Sequence, residues 1–170
     1  MIAFAPDEVL RTLERHQVRF VVIGGMAGRS WGSPSITRDI DVAYERTDDN
    51  LQRLAAALRD LEARLRIAGD DDVDLPFQLD AETLRRGLNF TFRTRAGDVD
   101  VLGQPAGVDG YDELAPNAVP MLIGGVTVLV THLDDLIRMK VAAGRPKDRI
   151  EVEVLAALRD ERNARGLVDP

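Results

Sequence analysis

Val21-Val22-Ile23-Gly24-Gly25-Met26-Ala27, followed by Thr37-Arg38-Asp39-Ile40-Asp41-Val42, is the stretch around which the chain is organised. Arg19-Phe20-Val21-Val22-Ile23 is a β-branched, apolar run ended by glycines, which predicts a covered strand. Gly24 and Gly25 permit a sharp turn into a helix and leave room for a ligand at its start. Asp39 and Asp41 are one residue apart, and side chains alternate along a strand, so both carboxylates project from one face with Cα atoms about 6.5–7 Å apart. Ile40 and Val42 then point the other way, into a core. Two adjacent acids repel unless a cation sits between them. Magnesium, which prefers oxygen ligands and shared substrate phosphates, is the cation that fits.

At 170 residues the chain suits one domain with a real core. It has no cysteine, which excludes disulfides, thiolate metal sites and cysteine nucleophiles. No apolar run reaches the roughly 20 residues that span a bilayer, and the early Asp7 and Glu8 do not suit a signal peptide, so a cytoplasmic protein with no membrane partner is expected. A net charge of −7 argues against a protein that coats nucleic acid, while leaving room for an RNA held by a local basic face. Of the 22 basic residues only two, Lys140 and Lys147, are lysines. They fall close together, where a compact ammonium would differ from the guanidinium used everywhere else.

Outward from the opening stretch, helices are predicted over Pro6–His16, about Gly25–Trp31, and from the Thr47–Asn50 cap through Glu62, the last with Leu51, Leu54, Ala55, Leu58 and Leu61 on one face. Asp70-Asp71-Asp72-Val73-Asp74 reads as a solvated loop, because it lacks the ligand spacing, glycine and closing glutamate of a calcium loop. A short helix over 80–86 precedes strands Leu88–Thr94 and Asp98–Leu102, the second carrying Asp98 and Asp100 on one face. Val108–Leu114 is a loop or short helix. Val119–Ile123 and Val126–Val130 form a hairpin whose Gly124-Gly125 pair suits a type I′ turn. Thr131 is expected to cap a helix to about Ala143, and Gly144-Arg145-Pro146 to break it. A final helix would run from Lys147 to about Arg162, with Ile150, Val154, Leu155 and Leu158 inward, and the end, 166–170, would fray. There is no Gly-x-Gly-x-x-Gly after the first strand, no phosphate-binding Gly-Lys-Ser/Thr loop, and no Ser-His-Asp arrangement that spacing supports.

Ile23-Gly24-Gly25, thirteen residues, then Asp39-Ile40-Asp41-Val42 resembles the signature of the DNA polymerase β-type nucleotidyltransferase superfamily. With the late Leu136-Ile137-Arg138-Met139-Lys140 and Gly144-Arg145-Pro146-Lys147-Asp148, it is similar to that superfamily's minimal bacterial branch, which includes AbiEii-like toxins of toxin–antitoxin pairs. The resemblance runs over roughly residues 18 to 158. It implies an α/β (α+β) fold: a mixed sheet flanked by helices, with a core over 1–130 and a C-terminal helical pair over 131–170 packed on it as one compact domain. It also implies transfer of a nucleoside monophosphate from a triphosphate to a hydroxyl acceptor, with two magnesium ions. The acceptor could be a tRNA 3′ end or a protein side chain, ahead of a small molecule such as an aminoglycoside, and a cognate antitoxin is a possible partner.

In that resemblance Asp39 and Asp41 are metal ligands, and Gly24-Gly25 hold the triphosphate. Asp98 and Asp100 are both candidates for the third carboxylate, with Asp100 favoured because Gly97-x-Val99-Asp100-Val101-Leu102-Gly103 matches the related pattern. The third acid would also serve as base on the acceptor hydroxyl. Lys140 and Lys147 would bind phosphates with Arg145 assisting, and Asp148 would orient one of these bases. Related chains often carry arginine two residues before the threonine of Thr37-x-Asp39-x-Asp41, where this chain has Ser35. Arg29 or Arg38 could replace that contact. Ser35 also keeps open a catalytically silent protein of this fold that acts by binding a partner or a nucleotide. A metal-dependent phosphohydrolase is disfavoured by the lack of a histidine-aspartate cluster.

Overall fold

The computed structural model describes residues 4–66 and 77–167. The acid run at 70–74 and the last three residues, 168–170, lie outside them. Helix α1 (Pro6–Arg15) opens with proline and two acids, which suit its N-terminal dipole, and ends at His16, whose ring meets Asp60 at 3.0 Å. Then come β1 (Phe20–Ile23), α2 (Gly24–Ser30), β2 (Asp39–Tyr44), α3 (Asp48–Asp60), β3 (Arg64–Leu65) and α4 (Ala81–Arg86). The hairpin of β4 (Asn89–Thr94) and β5 (Gly97–Leu102) leads to the short α5 (Tyr111–Leu114) and a 3-10 turn (Ala115–Asn117). A second hairpin, β6 (Val119–Ile123) and β7 (Val126–Val130), is followed by α6 (Leu133–Ala143) and α7 (Pro146–Ala164).

Among the described residues the strands form one mixed sheet, ordered β3-β4-β5-β2-β1-β7-β6. The central pairing places β2 antiparallel to β1 and parallel to β5. Alternation along β2 sends Ile40, Val42 and Tyr44 into the main core, packed with Leu10, Leu13, Leu51, Leu54 and Leu58 of α1 and α3. Ala43 faces the opposite side, where a smaller core of Val21, Ile23, Val108, Leu114 and Met139 covers only part of the sheet. Asp39 and Asp41 share the side of Ala43, next to that partial cover.

The structure differs from the sequence expectations at several points. Strand β3 is not foreseen, since two residues carry no period and its existence depends on pairing Arg64 and Leu65 with Arg93 and Phe92. His132, rather than Thr131, caps α6, its Nδ1 accepting from the Asp134 N–H at 3.3 Å. Thr131 is buried and bonds through its backbone to Val22 and to the Trp31 indole. Gly124 and Gly125 both take positive φ, as the type I′ turn requires. Ile150 is 70 % exposed instead of inward, because α7 turns Asp148, Glu151 and Leu155 to the protein.

Candidate active site

The register between β2 and β5 sets Asp41 opposite Asp100 and Asp39 opposite Asp98. Partners across a ladder share a face, so four carboxylates begin on one surface. Their environments then separate them. Asp39, Asp41 and Asp100 each offer a carboxylate oxygen, and the three oxygens lie within 4.8 Å of one another. Asp98 instead takes the Arg66 guanidinium at 2.8 Å, with Arg93 at 3.9 Å. The structure therefore groups Asp100, and not Asp98, with the β2 pair.

The Gly24-Gly25 corner is pressed against these acids. Gly24 has φ +64°, and a β-carbon there would fall inside the Asp41 carboxylate, so glycine is required on both conformational and steric grounds. A β-carbon on Gly25 would lie 2.6 Å from the Thr37 hydroxyl. The Gly25 N–H donates to Asp41, and the Thr37 hydroxyl donates to Asp39 at 2.6 Å. Both acids are thus held by hydrogen bonds before any ligand arrives.

Burial, reinforced by the charges of Asp39 and Asp100, pushes Asp41 up to about 7, against the opposing Gly25 N–H and the Lys140 ammonium. Asp100 is also raised, by burial first and by Asp39 and Asp98, although the Thr91 hydroxyl and Arg66 pull it down. Such crowding is unfavourable for the protein alone and is relieved by a divalent cation among the carboxylates. Three converging hard oxygen donors fit magnesium or manganese, and they do not suit a soft metal.

The acids open onto a cleft of about 700 Å³, walled on the far side by α6 and α7. Lys140 on α6, Arg145 in the αL-terminated break after it, and Lys147 and Asp148 at the start of α7 all line this cleft. Asp148 is 1 % exposed. Its carboxylate accepts from Arg145 Nε at 2.6 Å and lies 3.6 Å from Lys140 Nζ. Burial alone would raise Asp148, and the Arg145 hydrogen bonds and charge, with Lys140, more than offset that and hold it below the usual carboxylate range. Arg145 also feels Asp41 and Asp39 across the cleft. Two cations fixed on one buried acid, facing three acids, form a dipolar slot suited to a metal–polyphosphate ligand.

Of the expected site residues, Gly24, Gly25, Asp39, Asp41, Asp100, Lys140, Arg145, Lys147 and Asp148 line this cleft. Arg29 and Arg38 do not: both are exposed, and Arg29 turns to the Ser35 carbonyl at 3.4 Å. Residues to which the sequence assigns no role in the site also contribute. They include Thr37, Asn89 and Gln104, and above all Glu151, which accepts the Ser35 hydroxyl. Glu151 had one legible signal: acids at 148 and 151 share a helix face, and that face competes with the one containing Ile150.

No protein-family model and no curated protein matches the sequence. Solved structures do. The lincosamide antibiotic adenylyltransferase LnuA, bound to lincomycin, superposes with a TM-score of 0.61 at 11 % identity, over 92 % of this chain and 99 % of that one. The chain has the nucleotidyltransferase fold. ANT(2")-Ia in complex with adenylyl-2"-tobramycin aligns with a TM-score of 0.53 at 17 % identity, over 93 % of this chain and 94 % of that one. A Thermotoga maritima protein proposed to be a nucleotidyltransferase gives 0.52 at 14 % identity, over 92 % and 89 %. Among the described residues no helix is long and apolar enough to cross a membrane.

Proposed function

We propose that this chain is a metal-dependent nucleotidyltransferase that moves a nucleoside monophosphate from a triphosphate to a hydroxyl acceptor. The observation that carries it is the meeting of Asp39, Asp41 and Asp100 within 4.8 Å, across a cleft from Lys140 and Arg145. Asp39, Asp41 and Asp100 would hold the metal, and two magnesium ions are the expected complement. Bound there, magnesium supplies neutralisation of the acids and of the phosphate charge. Lys140, Arg145 and Lys147 bind the phosphates, Gly24 and Gly25 form the wall beside them, and Asp148 orients Lys140 and Arg145. Asp100 takes the acceptor proton as the acceptor oxygen bonds to the α-phosphorus and the bond to pyrophosphate breaks. Residues 1–130 supply the acids and 131–170 the cations, so the two parts act as halves of one compact unit.

The acceptor is a tRNA 3′ end or a protein side chain, as in the AbiEii-like toxin branch that the sequence resembles. In that role the protein would be cytoplasmic and paired with a cognate antitoxin. The structural neighbours bind lincomycin and adenylyl-2"-tobramycin, which makes small antibiotics the competing acceptors to include. Purified protein incubated with each labelled triphosphate, magnesium and either total tRNA, a protein lysate or tobramycin should label a macromolecular fraction. Label on tobramycin alone would reassign the acceptor. No transfer and no magnesium-dependent nucleotide binding would leave the silent, partner-binding alternative.

A further inference from the structure

Segment 33–38, between α2 and β2, has no regular secondary structure, and along it buried Ser33 and half-buried Ser35 and Thr37 alternate with exposed Pro34, Ile36 and Arg38. Ile36, its only large apolar residue, is 82 % exposed. The segment is therefore held by polar contacts rather than by hydrophobic packing. The Ser33 N–H donates to the Gly28 carbonyl at 2.9 Å, and the Ser35 N–H donates to the Ser33 hydroxyl at 3.2 Å. The Ser35 hydroxyl donates to Glu151 on α7, and the Thr37 hydroxyl donates to Asp39.

Glu151 is 7 % exposed. Its second oxygen, Oε1, has no hydrogen-bond partner among the described residues. It packs over Gly28, where a β-carbon would come within 2.9 Å of it. A buried carboxylate with one hydroxyl partner is a poor contributor to stability. Its location, where α2, α7 and the 33–38 segment meet at the cleft, points to a role in the site.

We propose that Glu151 is a positioning residue: by holding Ser35 it fixes the 33–37 segment, so that Thr37 is wedged between Gly25 and Asp39 and the Asp39 carboxylate is aimed at the metal. The C-terminal helix that carries Lys147 is in this way mechanically joined to the acid cluster. The inference rests on the metal-binding reading of the three acids, and its test separates the two.

Manganese binding to the nucleotide-free protein is measured by titration calorimetry for the wild type, Glu151→Ala, Glu151→Gln, Ser35→Ala, Ser35→Thr and the Ser35→Ala/Glu151→Ala double variant, with thermal melts alongside. Loss of a direct outer contact to a metal ligand weakens metal binding about 10–100-fold; Glu151 and Ser35 act one step further out, through the Thr37 contact to Asp39, so that range is a ceiling. Each alanine variant should weaken binding by more than about twofold and by no more than that ceiling, the double variant should be no weaker than either single, and Ser35→Thr should restore affinity. Melting temperatures of the Glu151 variants should hold or rise, most clearly in Glu151→Gln, which a merely structural residue would not show, whereas Ser35→Ala strips the buried carboxylate of its hydroxyl partner and should melt lower. Alanine variants that bind manganese within about twofold of wild type, or effects that multiply in the double variant, would overturn the relay. If wild type binds no manganese, the metal reading fails. The relay is then decided by amide exchange: Glu151→Ala must speed exchange over 35–39 for it to stand, and unchanged exchange overturns it.

Discussion

Replacing Asp41 with asparagine should stabilise the metal-free protein while abolishing its proposed chemistry. Burial and the Asp39 and Asp100 charges lift Asp41 from 3.8 to about 7, so the native state binds its proton more tightly than the unfolded chain does. A carboxyl raised in this way adds stability below its unfolded value and loses that contribution as pH rises through its folded value. Metal-free wild type should thus weaken between about pH 4 and 7, by up to about 4 kcal/mol from this group. Asparagine keeps an oxygen for the Gly25 N–H and carries no charge. At pH 8 in chelator, Asp41→Asn should therefore melt higher, by about 8–16 °C for a chain of this size at the full magnitude. At pH 4 the two should converge. The assay is a pair of melting curves recorded at half-unit pH steps, read as the difference between variant and wild type, which cancels groups that do not interact with Asp41; Asp39 and Asp100, whose charges help to raise it, form part of the difference. Excess manganese at pH 8 should close the gap by stabilising wild type alone. A difference that does not change with pH, or a wild type that melts higher than the variant at pH 8 in chelator, would refute this electrostatic account of the site.

Four further outcomes are expected. Asp100→Asn should lower nucleotidyl transfer by about 10²–10⁴-fold, the range for loss of a general base, whereas Asp98→Asn, whose partner is Arg66, should stay within about threefold; steady-state rates with labelled triphosphate separate them. Lys140→Ala should lower kcat/KM for the triphosphate about 10–100-fold, the effect of losing a hydrogen bond to a charged group, and Lys140→Arg should rescue it only in part. Gly24→Ala forces a β-carbon into Asp41 at positive φ; it should destabilise by about 1–2 kcal/mol from the backbone alone and eliminate manganese binding in calorimetry. Leu155→Ala should cost about 2–5 kcal/mol in urea unfolding, while Ile150→Lys, on the exposed side of α7, should stay within about 0.5 kcal/mol.

The parts of the site that follow from local periodicity were legible in the sequence. One residue between Asp39 and Asp41 on a strand forces them to one face, and the Gly-Gly corner before a helix announces a close approach that proves to be Asp41 itself. The same period could not choose between Asp98 and Asp100, which have equal parity. Their difference comes from Arg66, which reaches Asp98 only because β3 pairs with β4, a long-range contact with no local trace. Periodicity also misplaced Ile150. An apolar residue is expected inside, yet Arg145, Lys140 and Ser35 supply partners for Asp148 and Glu151 and so rotate the buried face of α7 onto two acids. The core-facing side of α7 thus presents two acids, Asp148 and Glu151, where an apolar period alone would place Ile150. Arg29 and Arg38 were natural substitutes for a missing arginine at 35 by sequence distance, but both are exposed and neither lines the cleft.

Crystals grown with manganese and a triphosphate whose α,β-bridging oxygen is replaced by carbon would address the site most directly, through anomalous scattering at the manganese edge. Manganese density bounded by Asp39, Asp41 and Asp100, with phosphates against Lys140 and Arg145, is the result expected. Manganese bound elsewhere, or phosphates seated away from the three acids, would contradict it.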